Sequence, residues 1–334
     1  MSNANYGGGS ASTQAARGLA YAVELQASQT FQQLISTNVP LLALLKNKGG
    51  LNFNTDSKLG PKVLTPVFIG ASSNPVVGVT RANQNTATTL DQSEGTQAEF
   101  VVAHYRGGYI ITAADEELYS GKDTMKRASL VAGRADYLSE QWKIKMCTDM
   151  GTDSADAENK LMGYMFPINA ANVVGNINQA TGSNARWRGQ VVSSVGTLTK
   201  AYIDTMFVKL QNVNSRPDLL LCSSSSSGAD IFNIVRGYMD ANSYFQAGNA
   251  GKVEYGFDTY VYRGALVAHD QYAPAGEMYL LDTSTYFFQG SMSPKTHHTM
   301  AIAGTDSTEV VQSMFCCLGN KNPQKNGKLV GITG

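Results

Sequence analysis

The residue types able to do chemistry are a run of five serines, four histidines, two acidic clusters and four cysteines. Ser223–Ser227 runs into Gly228 and the helix-like stretch "GADIFNIVRGYM". Hydroxyls ahead of a helix N-terminus suit an anion, or the nucleophile of an α+β hydrolase. No G-x-S-x-G elbow, Walker loop or G-x-G-x-x-G fingerprint accompanies them, and serine is a good helix cap, so the run reads as a capping loop. His297 and His298 are adjacent and point apart, while His104 and His269 fall in separate β-like stretches, so no pair has metal-ligand spacing. "DMGTDSADAE" (Asp149 to Glu158) lacks the spacing and glycine of an EF-hand and reads as a solvated helix end plus turn. Asp115, Glu116 and Glu117 suit the positive end of a following helix. Cys147, Cys222, Cys316 and Cys317 show no ligand spacing and read as buried free thiols. The expectation is no catalytic residue, no metal and no cofactor.

Composition narrows the classes further. Charged residues are 16% of the chain, below the usual ~25%, so the large surface is either polar and neutral or covered by other molecules. The net charge of +0 gives no steering toward nucleic acid. "MSNANYGGGSAS" has no apolar core of a signal peptide, and no apolar run approaches the ~18–20 residues that span a bilayer. Synthesis in a cytoplasm is expected, with no membrane partner.

The elements that would position these residues follow an unusual order. After a Gly/Ser-rich start, residues 12–36 carry Ala20, Val23, Ala27, Phe31 and Leu34 at spacings of three and four, one stripe of a helix that Pro40 closes. "KVLTPVFIG" and "QAEFVVAHYRGGYIIT" are two β-rich arms flanking a long polar excursion. A loop of that length without core residues calls for a task outside the domain, such as reaching across another molecule. Residues 123–150 form the strongest helix, with Ala128, Val131, Ala135, Leu138, Trp142 and Met146 on one face. Trp142 is expected to pack on a sheet. Gly133 inside this helix costs roughly 1 kcal/mol relative to alanine. A second helix places Leu198, Tyr202, Met206 and Leu210 in register; "DLLLCS" is a short buried strand. Val261 to Asp282 reads as a hairpin about Pro274–Gly276, with Asp270 and Asp282 holding turns. "TEVVQSMFCCL" and "GKLVGIT" are strand-like. The class is α+β, without βαβ repetition.

This order resembles the major capsid protein of tailed double-stranded-DNA bacteriophages, the Hong Kong 97-like fold. "NKLMGY" after the long helix, "DLLLCSSSSSGADIF" and "YGFDTYVYRGALVAHDQYAPAGEMYLLDTSTYFF" are similar to stretches of that family. The resemblance implies an N-terminal arm (1–48), an E-loop with its base strands (49–112), a P-domain spine helix (113–160), an A-domain (161–290) and C-terminal P-domain strands (291–334). It implies a structural, non-enzymatic protein of the virion capsid, assembled in the host cytoplasm. Its partners would be copies of itself in pentamers and hexamers, a portal, a decoration protein, a scaffolding protein supplied separately, and DNA contacted non-specifically. Phe31, Leu34, Val76, Val77, Val79, Arg81 and Arg106 are the expected contacts between subunits. An encapsulin-like nanocompartment and the serine hydrolase above are the alternatives. Some family members join a lysine of the E-loop to a neighbour's asparagine, but no lysine lies between Lys62 and Lys122. A shell held without covalent joints is expected.

Overall fold

The computed structural model describes residues 39–48, 51–53, 60–69, 95–112, 124–223, 228, 230–240, 259–290, 295–301 and 307–333. In chain order these form α1 (Pro40–Asn47), β1 (Leu51–Phe53), β2 (Lys62–Phe68), β3 (Gly95–Val101), β4 (Ala103–Thr112) and the long helix α2 (Thr124–Met150). There follow β5 (Val173–Val174), β6 (Ile177–Asn178), β7 (Gln190–Val192), α3 (Lys200–Asn212), β8 (Leu219–Cys222) and α4 (Ile231–Asp240). The remaining strands are β9 (Thr259–Tyr262), β10 (Ala265–His269), β11 (Glu277–Leu281), β12 (Tyr286–Gly290), β13 (Lys295–Ala301), β14 (Ser307–Asn320) and β15 (Gly327–Val330).

Two larger sheets organise them. One runs β1-β12-β14-β13, with β4 on the other edge of β14; the second runs β7-β15-β11-β8-β10-β9. The 14-residue β14 is the spine of the first, pairing with β4 over Ser307–Cys316. In the second, β8 is buried on both faces. Leu219 and Leu221 join a core with Tyr279 and Ala268, while Leu220 and Cys222 join a core capped by α3 and α4. Such a strand reads as a continuous apolar run because neither face meets water.

Several expectations change here. Val261 to Asp282 is not one hairpin: β10 runs parallel to β8 and β11 antiparallel to it, so β8 lies between them. The unbroken apolar run of β8 requires partners on both edges, and β10 and β11 supply them. The true hairpin joins β9 to β10 through Arg263 and Gly264, both at positive φ (50° and 84°), the turn geometry that matches strand twist. Asp270 and Asp282 do hold turns. Asp270 accepts from the Tyr272 N–H at 2.9 Å and from the Tyr164 hydroxyl, and Asp282 accepts from the Ser284 N–H at 3.2 Å and its hydroxyl at 2.5 Å. β12 belongs to the first sheet and β15 to the second, so the sheets do not divide at residue 290. The reason is that β15 fills the antiparallel edge of β11. Pro40 opens α1, as its fixed φ and absent N–H allow at a first helical position, while the stripe of residues 12–36 lies outside the described residues. In α3 the buried residues are Ile203, Met206, Phe207 and Leu210, and Tyr202 lies outward because a period of 3.6, not 4, sets the face. Asp149 is buried, accepting from the Tyr105 hydroxyl at 2.7 Å and from Lys145 Nζ at 2.8 Å, so this end of the acidic cluster is structural, not solvated.

The helix face of α2 packs as its periodicity demands. Ala135, Leu138, Trp142 and Met146 are buried against the first sheet. Trp142 lies edge-on to Tyr105 at 6.2 Å, above Gly107, where a Cβ would stand 3.0 Å from the indole nitrogen. Glycine at 107 is thus what admits the ring. All four cysteines are free and buried, and burial pushes the Cys147 and Cys317 thiols up to about 12. Cys316 and Cys317 point to opposite faces of β14, into different cores.

Trp142→Ala empties a large aromatic site, and a loss of about 3–5 kcal/mol is expected. Denaturant unfolding of the unassembled chain checks it; a loss below about 1 kcal/mol would mean that the ring contributes little to the packing of α2 on the sheet.

Candidate assembly surface

The feature that sets this chain apart from a plain two-sheet domain is the ribbon of β2 and β3. It pairs antiparallel from Lys62↔Val101 to Phe68↔Gly95. Its faces alternate. Thr65, Val67, Ala98 and Phe100 are buried, while Leu64, Pro66 and Gln97 are exposed. The inward side forms a third core with Val102, Met162, Val174, Ile177, Trp187, Phe287 and Cys317. Phe100 meets Phe287 edge-on at 5.5 Å.

Residues 95–112 are almost one continuous strand, yet β3 pairs within the ribbon and β4 pairs with β14. The strand edge at the crossover is covered step by step. The Glu99 N–H donates to Gly175 O at 2.9 Å, the Val101 N–H to Asp156 Oδ2 at 2.5 Å and the His104 N–H to Glu158 O at 2.6 Å. Open strand edges invite pairing with other chains, and here the root is closed. Gly175 is needed at the β5–β6 turn: its φ is +56° and a Cβ would stand 2.8 Å from the Ala98 Cβ. Lys62 Nζ reaches Glu99 Oε2 at 2.6 Å across the exposed face, which lowers the Glu99 carboxyl from its ordinary value.

The first sheet has one face under α2 and another facing away. Toward its β12 end the outer face is covered by Phe100 and its neighbours. Toward β4 it is open. His104 stacks on Phe315 at 4.3 Å, both exposed, beside Arg106 and Ile110. Arg106 is thus presented on an open sheet face, across from Ser313. Phe31, Leu34, Val76, Val77, Val79 and Arg81 lie outside the described residues, as do Ser224 to Ser227. Ser223 is buried and donates to Glu277 O at 2.7 Å, a structural bond. Among the described residues no group of three His, Cys, Asp or Glu could hold a metal, and no helix is long and apolar enough to cross a membrane. Sequence reasoning did not find the β5–β6 clamp, Asp156 or the His104–Phe315 pair. The Val-Val-Gly-Asn-Ile-Asn run at 173–178 was the available signal, because Gly-Asn between apolar residues marks a tight turn.

A long helix under one sheet, a second sheet carrying α3 and α4, and a clamped two-stranded ribbon make the Hong Kong 97-like capsid fold. Solved structures give the same assignment. The chain superposes on the cyanophage A-1(L) capsid asymmetric unit with a TM-score of 0.60 and 16% identity, covering 89% of this chain and 94% of that one. It superposes on the capsid of a native GTA particle with a TM-score of 0.55 and 12% identity, covering 87% and 90%. No family model matches the sequence, and no curated protein matches it.

Asp156 gives a test of the clamp. Burial raises its carboxyl from the ordinary value, against the opposing bond from Val101. The folded chain therefore holds this proton to higher pH than the unfolded chain. The charge destabilises the fold above the folded value, and that penalty fades as pH falls through it. Asp156→Asn keeps an acceptor without the charge, so at pH 7 it should match or exceed the parent in thermal stability, with the gap closing in acid. Asp156→Ala leaves the Val101 N–H unpaired and should cost about 1–3 kcal/mol. Faster amide exchange at Val101 in the alanine variant alone is the expected signature; equal exchange in all three would mean that the clamp does not hold the edge.

Proposed function

We propose that this protein is the repeating subunit of a closed icosahedral shell, the major capsid protein of a tailed double-stranded-DNA bacteriophage. The observation that carries the reading is the co-extensive fold: the likeness to the A-1(L) capsid subunit covers 89% of this chain and 94% of that one, which supports a shared architecture over one shared layer. The role is structural, with assembly by burial of surface between copies in pentamers and hexamers. The low charge of the chain supports this, because interface cores are depleted in charge.

In this reading residues 1–38 and the excursion beyond the β2–β3 ribbon reach neighbours. Phe31, Leu34, Val76, Val77 and Val79 supply apolar contact, and Arg81 and Arg106 grip carboxylates. A scaffolding protein, a portal, a decoration protein and the enclosed DNA are the further partners, and the place of action is the virion, assembled in the host cytoplasm. The stretch between Lys62 and Lys122 offers no amine to join covalently, and arginine stays protonated and is a poor nucleophile. The shell is therefore fastened without covalent joints.

Electron microscopy of the purified chain should show uniform closed shells. A protein that stays monomeric when scaffolding is supplied, or shells that enclose a protein cargo in place of DNA, would overturn the phage reading. Particles boiled in detergent without reductant should run as one band near the 35.7 kDa monomer. A ladder of pentamers and hexamers would show covalent joints. Deleting residues 2–38 should leave a soluble chain that makes no normal shells.

A further inference from the structure

Two buried carboxylates stand at the C-terminal end of α2, and each takes a hydrogen bond from a tyrosine. Asp149, on α2 itself, accepts from the Tyr105 hydroxyl of β4 at 2.7 Å and has Lys145 Nζ beside it at 2.8 Å. Asp270 follows β10 in the second sheet. It accepts from the Tyr164 hydroxyl and, at 2.9 Å, from the Tyr272 N–H. Asp270 is 2% exposed, yet among the described residues no cation stands within ion-pair distance of it. A buried charge without a partner of opposite sign is costly, and burial raises this carboxyl from its ordinary value. The groups facing it bring no compensating charge. They are the Cys147 thiol from α2, Tyr164 from the segment after α2 and Tyr272 from its own turn. Behind Tyr164 lies Tyr279 of β11, whose hydroxyl donates to the Glu277 carboxylate. His269, at the end of β10, is a titratable neighbour but stands exposed.

This carboxyl holds a turn that seats the second sheet on the end of α2. The turn closes through the Ala273 N–H, which donates to Asp270 O at 3.3 Å. It lies directly on Gly151, where a Cβ would meet the Tyr272 Cβ and stand 2.8 Å from the Tyr272 carbonyl oxygen. Tyr272 and Ala273 pack against the core that contains Cys147. The Gly151 N–H donates to Cys147 O at 3.0 Å, so the seated contact and the thiol are one helical turn apart. Lifting the turn would therefore open a path to Cys147, which is otherwise fully buried.

We propose that Asp270, clamped by Tyr164, is a proton-controlled lock on the joint between α2 and the second sheet. With the proton in place the turn stays seated on Gly151. Ionised, the carboxyl draws water, and the turn lifts more often. The sign follows from linkage. The seated turn holds its proton to higher pH than the lifted, solvated turn, so seating is weakest above the seated value and gains as pH falls through it. Charging His269 in acid acts the other way, because a nearby cation favours the ionised carboxyl. The joint lies within one subunit and does not depend on the shell reading.

The test is alkylation of the unassembled full chain by iodoacetamide, mapped by peptide to each of the four buried thiols. Asp270→Asn keeps an acceptor for Tyr164 and Tyr272 without the charge. At neutral pH it should alkylate at Cys147 roughly threefold to tenfold more slowly than the parent, and the gap should close in mildly acidic buffer. Cys222, Cys316 and Cys317 should not change. Electrostatics alone predict the reverse, because the Asp270 charge raises the Cys147 thiol and its removal would speed the reaction. Equal or faster alkylation in the Asn variant would therefore overturn the lock. So would four thiols that change together, since they would report global stability. The parent alone gives a second reading if the variant folds poorly. Its ratio of Cys147 to Cys222 alkylation should fall several-fold from neutral to mildly acidic pH, and fall equally in His269→Gln. A constant ratio would overturn the proposal, and a fall that disappears in His269→Gln would overturn it by assigning the switch to that histidine.

Discussion

Everything outside the body hangs on how residues 95–112 serve two structures in one pass. β3 belongs to the ribbon and β4 to the first sheet, and between them a single residue, Val102, turns its side chain into the third core. A strand so divided would have an open edge at its midpoint. Gly175 O, the Asp156 carboxylate and Glu158 O close it, each taking one N–H. Because those acceptors sit on segments that follow α2, the direction of the ribbon is fixed by the same part of the chain that anchors the long helix.

The same economy governs the junction between the sheets. The chain crosses between the sheets at two short turns, Thr283–Thr285 from β11 to β12 and Pro323–Lys325 from β14 to β15. Asp218 accepts from the Thr283 N–H at 2.9 Å and its hydroxyl at 2.6 Å, and also from Lys48 at the end of α1. Asn326 accepts from the Asp282 N–H at 2.9 Å and donates to Thr285 Oγ1 at 3.0 Å. Buried polar groups fully matched in this way give a unique arrangement where apolar packing alone would tolerate several. α1 is thereby tied to the body, and whatever precedes Val39 leaves from a fixed point.

The chain sorts its apolar residues between core and surface. Apolar residues of β8 and of the inner faces of α2 and α3 are buried, while exposed ones include Leu64 on the ribbon, Ile110 and Phe315 on the open sheet face, Tyr137 and Ile144 on α2, Val173 on β5, and Tyr202 and Val208 on α3. His104 stacked on Phe315 lays a polar ring over an exposed apolar one.

The sequence by itself determined what local pattern and composition can carry. Period 3.6 gave α2 its inward face from Ala135 to Met146, and the run Leu219–Cys222 marked a strand buried on both sides. The turn roles of Asp270 and Asp282 were legible because an Asx side chain bonds its own backbone two residues on. Strand partnership was not legible. Val261 to Asp282 looks like one hairpin because apolar runs flank a Pro-Ala-Gly turn, but which edges pair depends on β8, forty residues away in sequence. The burial of Asp149, the β5–β6 clamp and the assignment of β15 to the second sheet were hidden for the same reason. A residue's own neighbours fix its helical or extended habit, whereas its burial and its partners are set by whichever distant segment the whole chain brings against it, and only the tertiary structure decides that.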